Sequence, residues 1–177
     1  MSRPRPGFTL YELLVTLSLV TILLSLGLPS FSTILAKSRQ TTEINALFHA
    51  IHLARKESIR RREVVSLCPS DDGESCRPGL DWSSGWILFN NADQDTPPRV
   101  DADEFVVLRH RVDPSFRITA NRRAFTLRAT HKRATNGTFV VCDTGGRVAP
   151  KALVISYTGR PRVAALRPDG GAWSCAD

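Results

Sequence analysis

A chain of 177 residues has room for one domain with a core of its own plus an appendage, and a large share of its 42% hydrophobic residues lies in the first 36 positions. The net charge of +7 is carried by arginine: only Lys37, Lys56, Lys132 and Lys151 of the 24 basic residues are lysines. Arg contacts phosphate and carboxylate through a planar fork, so the excess fits an anionic partner, although a GC-rich genome produces the same bias.

Residues 1–7 are short and basic, with Arg3 and Arg5, and positions 8–28 read FTLYELLVTLSLVTILLSLGL with Glu12 as the single charge. About 20 apolar residues cross a bilayer as a helix, so 8–36 is expected to span a membrane, with the arginines holding the N-terminus in the cytoplasm. No small-x-small cleavage site follows Leu28, so the helix is expected to be retained. A lone carboxylate in such a span needs a positive partner, either a helix N-terminus or a free amine.

Gly7-Phe8-Thr9-Leu10-Tyr11-Glu12-Leu13-Leu14 resembles the processing motif of type IV pilins and type II secretion pseudopilins. The resemblance implies a leader of residues 1–7, removed after Gly7 by a prepilin peptidase that then N-methylates Phe8. It also implies that Glu12 pairs with the Phe8 amine of a neighbouring subunit during assembly, where a buried charge is tolerated because another meets it.

Beyond the span, helical periodicity continues through Ile44, Leu47, Phe48, Ile51, Ala54 and Ile59, with Arg39, Glu43, Asn45, His52 and Lys56 on the opposite, polar face. The helix is expected over 9–62, bent near Gly27 and Pro29. Short β-type runs follow at 64–68, 86–89, 105–111, 116–119, 124–128, 138–142, 153–157 and 162–166, separated by turn residues. The expected fold class is α+β, a long N-terminal helix packed on antiparallel sheet, with 37–177 forming the globular domain outside the cytoplasm.

Cys68, Cys76, Cys142 and Cys175 form no C-x-x-C and have no His at zinc-ligand spacing, which argues against a structural metal. An even count outside the cytoplasm suits disulfides. Three connectivities are open; the favoured one joins Cys68 to Cys76 and Cys142 to Cys175.

Leu67-Cys68-Pro69-Ser70, the run from Trp82 to Ile87, Gly137-Thr138-Phe139 with Cys142-Asp143, and Leu153-Val154-Ile155-Ser156 before Thr158-Gly159-Arg160 look like the FimT/GspH group of minor pilins. The basic stretch 128–136 matches no pattern of that group. Gly159-Arg160-Pro161-Arg162 resembles the G-R-x-R element of DNA-binding members. The resemblance thus implies a minor pilin whose partners are double-stranded DNA, other major and minor pilins, the prepilin peptidase and the inner membrane. It would move from that membrane to a cell-surface pilus and serve natural transformation. Arg160 and Arg162, two apart, would share one face of an extended segment and bridge phosphates, with Arg122, Arg123, Arg128, Lys132 and Arg133 extending the surface. The alternative is a GspH-like pseudopilin of type II secretion, or a structural minor pilin whose arginines pair with carboxylates.

No nucleophile and base are spaced for catalysis, and His49, His52, His110 and His131 are scattered, so neither enzyme activity nor a cofactor is expected. Asp93, Asp95, Asp101, Asp103 and Glu104 cluster, but Pro97-Pro98 interrupts the ligand spacing and the glycine of a calcium-binding EF-hand loop is missing. A solvated acidic turn is expected there, without a metal. Replacing Gly7 with a bulky residue should leave an uncut precursor on immunoblots, whereas Glu12→Ala should be cut normally yet enter filaments poorly. Incorporation of an uncut Gly7 variant would refute the processing reading.

Overall fold

The computed structural model describes residues 7–129 and 134–175; within the helix, residues 26–30 are described by backbone only. One helix, α1 (Leu10–Arg61), is followed by eight strands: β1 (Val64–Pro69), β2 (Gly85–Asn91), β3 (Val106–Arg111), β4 (Phe116–Ala120), β5 (Phe125–Leu127), β6 (Gly137–Asp143), β7 (Lys151–Ile155) and β8 (Pro161–Ala164). They form two four-stranded sheets, β3-β2-β1-β5 and β4-β6-β7-β8, with every pairing antiparallel. The sequence reading expected antiparallel sheet against a long helix; the division into two sheets emerges only from the pairing. The expected bend falls on 26–30, whose side chains lie outside the described residues, as do Arg3 and Arg5.

α1 starts at Thr9, whose hydroxyl accepts from the Glu12 N–H (3.3 Å) while Glu12 Oε2 accepts from the Thr9 N–H (3.1 Å), closing a capping box. It stops at Arg62, which takes a left-handed conformation with φ 60°. Along its first half the apolar side chains are exposed, Phe8 by 87% and Tyr11 by 77%. Thr16, Ser18, Thr21 and Ser25 each donate back to a carbonyl of the preceding turn at 2.8–2.9 Å, so the hydroxyls of this segment are satisfied within the helix. Among the described residues no helical stretch is long and apolar enough to cross a membrane; the expected span runs through the five positions described by backbone only.

The second half of α1 is buried along Ala36, Gln40, Glu43, Ile44, Leu47, Ala50, Ile51, Ala54 and Ser58, a stripe at steps of three and four. It joins one core with Val65, Leu67 and Leu88 from the first sheet and Phe116, Ile118, Phe139, Val141 and Leu153 from the second. Trp82 meets the Phe139 ring edge-on at 4.9 Å, and Phe125 of β5 stacks on the same ring at 4.4 Å, which links the two sheets through aromatic contact. Two helix expectations are corrected. Ile59 is 57% exposed: the buried stripe reaches this turn through its neighbour Ser58, and Ile59 faces away from it. Glu43, expected on the polar face, is 5% exposed.

Glu43 is tolerated in the interior because both its oxygens are used. Oε2 lies 2.8 Å from His110 Nε2 and Oε1 accepts from the Asp113 N–H at 3.1 Å, while the His110 ring stacks on Trp86. Gln40 Nε2 donates to the carbonyls of Ala149 (2.9 Å) and Val141 (3.3 Å), a second polar tie from helix to sheet. Where β2 begins, a Cβ on Gly85 would stand 2.5 Å from the His110 carbonyl, and its φ of 152° excludes most side chains as well.

The cysteines pair as Cys68–Cys76 and Cys142–Cys175, the favoured connectivity. They close loops with sequence separations of 8 and 33, so chain entropy assigns them about 2.5 and about 3.7 kcal/mol. Cys142→Ser should therefore lower the melting temperature more than Cys68→Ser; the reverse order in calorimetry would contradict the loop-entropy account. Asp143 gives a pH test. Side-chain hydrogen bonds from Arg147, aided by its N–H, hold the Asp143 carboxyl down at about 2. A depressed carboxylate stabilises the fold above its unfolded value near 3.9, and that stability is lost as pH falls through the folded value. Asp143→Asn should thus be less stable than wild type at pH 7, with the difference in urea midpoint vanishing as pH falls from about 4 to about 2.

Candidate functional site

Residues 156–160 form a turn between β7 and β8 that hydrogen bonds hold from several sides. The Gly159 N–H donates to the Ser156 carbonyl (2.9 Å), the Arg160 N–H to Ser156 Oγ (3.2 Å), and the Ser156 N–H to the Arg160 carbonyl (3.1 Å). Gly159 adopts φ 72° and is buried; a Cβ there would reach Ala134 and Leu127 at 3.4–3.5 Å. The left-handed backbone, more than lack of space, is what calls for glycine at this position.

Arg160 and Arg162 emerge from this turn, both exposed, on either side of half-buried Pro161. Arg162 pairs in register with Val154 on the outer strand β8, so its side chain stands at the open edge of the second sheet. Arg39, Arg60, Arg61, Arg77, Arg147 and Arg167 each lie within ion-pairing distance of a carboxylate. Arg160 and Arg162 take part in no such pair among the described residues, and neither do others such as Arg109, Arg111 and Arg117.

The sequence reading missed Arg55. Its Nη1 donates to the Thr158 carbonyl at 2.9 Å, so α1 holds the turn directly and places a further guanidinium beside it. His52, Lys56, Ile59 and Arg60 line the same stretch of helix surface as Arg55. The available signal was the basic run 55–62 at the end of an amphipathic helix, but nothing in it shows which arginine faces the turn. Thr9 was missed too, although Thr9-x-x-Glu12 is a readable capping-box pattern. Both bonds from Thr9 to the carboxylate end on Glu12 Oε2.

The flanking basic residues are brought together unevenly. Arg122 Nε donates to the Asn136 carbonyl (3.1 Å), and the Ala134 N–H donates to the Tyr157 carbonyl (3.1 Å), so the 134–136 segment joins Arg122 to the turn. Arg123 instead lines a small cavity with Cys76, Pro97 and Pro98. Lys132 and Arg133 lie outside the described residues. His49 and His52 flank the Phe48 ring at 6.0 and 4.7 Å, as packing and surface histidines do. In the acidic loop, burial raises the Asp95 and Glu104 carboxyls, and the neighbouring Asp93 and Asp101 charges add to the shift.

The family profile of the type II transport protein GspH matches residues 43–159, from the buried Glu43 of α1 to the glycine of the turn and ending just before Arg160. No curated protein matches the sequence. Two crystal structures of the type IV minor pilin FimU of Pseudomonas aeruginosa are similar in fold. One has 19% identity and a TM-score of 0.49 and covers 72% of this chain and 91% of that one. The other has 20% identity and a TM-score of 0.48, with coverages of 77% and 90%. With about two thirds of its length matched by the profile, the chain belongs to the GspH family.

Proposed function

We propose that this GspH-family protein is a minor pilin that binds extracellular double-stranded DNA, without sequence preference, through Arg160 and Arg162. The observation that carries the reading is the rigidly bonded 156–160 turn, which presents two exposed guanidinium groups without a carboxylate neighbour among the described residues. Arg can donate two bonds at once to a phosphate, and phosphate contacts position a protein on a duplex without reading bases. Preordering by the turn and by Arg55 lowers the entropy lost on binding.

The same reading supplies the filament context. The exposed apolar first half of α1, with its hydroxyls satisfied internally, suits insertion into the inner membrane and later packing among other pilins. Leader cleavage after Gly7, methylation of Phe8 and pairing of Glu12 with a neighbouring Phe8 amine complete the proposal. The GspH profile keeps a second reading in view, a pseudopilin of type II secretion whose globular domain contacts other subunits only.

Fluorescence anisotropy with a labelled duplex at several salt concentrations separates the two. Wild type should bind with a log–log salt slope of roughly −0.9 per phosphate neutralised, and replacing Arg160 and Arg162 together with Ala should remove up to about two units of that slope. Arg160→Lys should bind more weakly than wild type and more tightly than Arg160→Ala, because it keeps charge and loses the fork. Arg55→Ala should weaken binding less than the double variant. In cells, the double variant should still assemble pili but take up less DNA. Salt-insensitive binding, or wild-type affinity in a folded double variant, would assign the protein to the secretion reading.

A further inference from the structure

An outer strand of a sheet carries a row of main-chain groups that its own sheet does not pair, and the two sheets here have four such edges, β3, β5, β4 and β8. The chain covers three of them itself. The Trp82 N–H donates to the Ile118 carbonyl (2.8 Å) and the Ala120 N–H to the Leu80 carbonyl (2.9 Å), so residues 80–82 lie along β4. At β5 the Thr135 N–H donates to the Thr126 carbonyl (3.0 Å). At β8 the Trp173 indole N–H donates to the Ala164 carbonyl (3.1 Å). The fourth edge is open: among the described residues, the main chain of β3 bonds to β2 alone.

The second observation is the charge along this edge. The turn that leads into β3 holds Asp101 and Asp103, and the far end of the strand holds Arg109 and Arg111, all four exposed. None of them enters an ion pair among the described residues, although Arg109 Nε donates to the Gly73 carbonyl at 2.7 Å. Between the charged ends lie Phe105, 42% exposed, and the half-buried Val106, Val107 and Leu108. An edge guarded by charges of one sign repels its own copy. This pattern is instead its own complement when turned end for end. With a second β3 laid antiparallel about a two-fold axis at Val107, each Arg111 arrives at the Asp103 of the other copy, since both stand four residues from Val107. Parallel pairing would set Arg against Arg and Asp against Asp.

We propose that β3 is an interface between two copies of this protein, paired antiparallel edge to edge so that the two four-stranded first sheets become one. The open main-chain groups would supply the ladder, as in recognition by strand addition. Covering Phe105 and the half-exposed apolar residues beside it would supply the driving force. Exposed ion pairs add little to affinity, so the charges chiefly select the partner and its direction. The arriving Arg111 would also offset repulsion in the acidic loop, where oxygens of Asp93, Asp95 and Asp101 lie within 4.8 Å of one another. The interface belongs to the first sheet and does not use Arg160 or Arg162, so it stands or falls independently of DNA binding.

The test is sedimentation of the full-length protein in detergent over a series of concentrations. Wild type should pass from monomer to dimer as concentration rises. Arg111→Glu sets a carboxylate against Asp103 of the other copy, and Asp103→Arg sets a guanidinium against Arg111, so each should weaken the dimer at least about ten-fold. Both positions are exposed, so the melting temperature of each variant should match that of wild type. Mixing the two single variants should restore dimerisation, because both contacts of the mixed pair again join opposite charges. Only a contact between Arg111 of one copy and Asp103 of the other gives that rescue. A wild type that stays monomeric at every concentration would show that the charges guard the edge, and would overturn the proposal. A dimer indifferent to both substitutions would place the contact elsewhere, for instance on the apolar half of α1, and would overturn it too. So would a mixture that associates no better than either variant alone.

Discussion

Everything in the globular domain depends on the burial of one stripe of α1 in a core that both sheets share. Ile44, Leu47, Ile51 and Ala54 share one buried cluster with Val65 and Leu67 of the first sheet and Phe139 and Leu153 of the second, so both sheets complete their core with the helix. Full burial of a large apolar side chain stabilises by roughly 1.5–3 kcal/mol, and this gain must exceed the entropy of ordering the chain. β1 is buried along its whole length because it lies inside its sheet, between β2 and β5. The outer strand β3 is half exposed.

The polar residues at that helix–sheet contact fix its register. Glu43 with His110 and Asp113, and Gln40 with two carbonyls, make the helix bond the sheets at chosen heights, where an apolar stripe alone would tolerate sliding. That register has a functional consequence: it places Arg55 against Thr158 and so holds the turn that presents Arg160 and Arg162. The chemistry at the edge of the second sheet is therefore positioned from the helix, through a guanidinium that itself belongs to the basic surface.

Some charges of the domain are paired and others are not. Arg39, Arg77, Arg147 and Arg167 are matched with nearby carboxylates, whereas the Asp93, Asp95 and Asp101 cluster and the Arg160 and Arg162 pair stand without countercharge among the described residues. Like charges held together on an ordered loop repel and lower stability unless something offsets them. In the function proposed above, a polyanion offsets the charge of Arg160 and Arg162. A net charge of +7 favours the polyanion overall, and the acidic loop is a local exception to it.

The elements, and the boundary between an apolar helix and a β-rich domain, are legible in the amino-acid order, because both rest on local periodicity and turn chemistry. The helix runs Leu10–Arg61 where 9–62 was expected, and all eight strands occur near their expected positions. The processing-like motif and the Gly159-Arg160-Pro161-Arg162 element were likewise visible, since each is contiguous. Tertiary structure alone decided the rest. The division into two sheets depends on which strands pair across long loops, and Glu43 is buried because His110 and Asp113, 67 and 70 residues away, meet it there. Arg55 joins the site through a contact spanning 103 residues, and Asn91 lies under the acidic loop because β2 ends there in the interior. Each of these depends on partners distant in the chain, and local sequence carries no record of who those partners are.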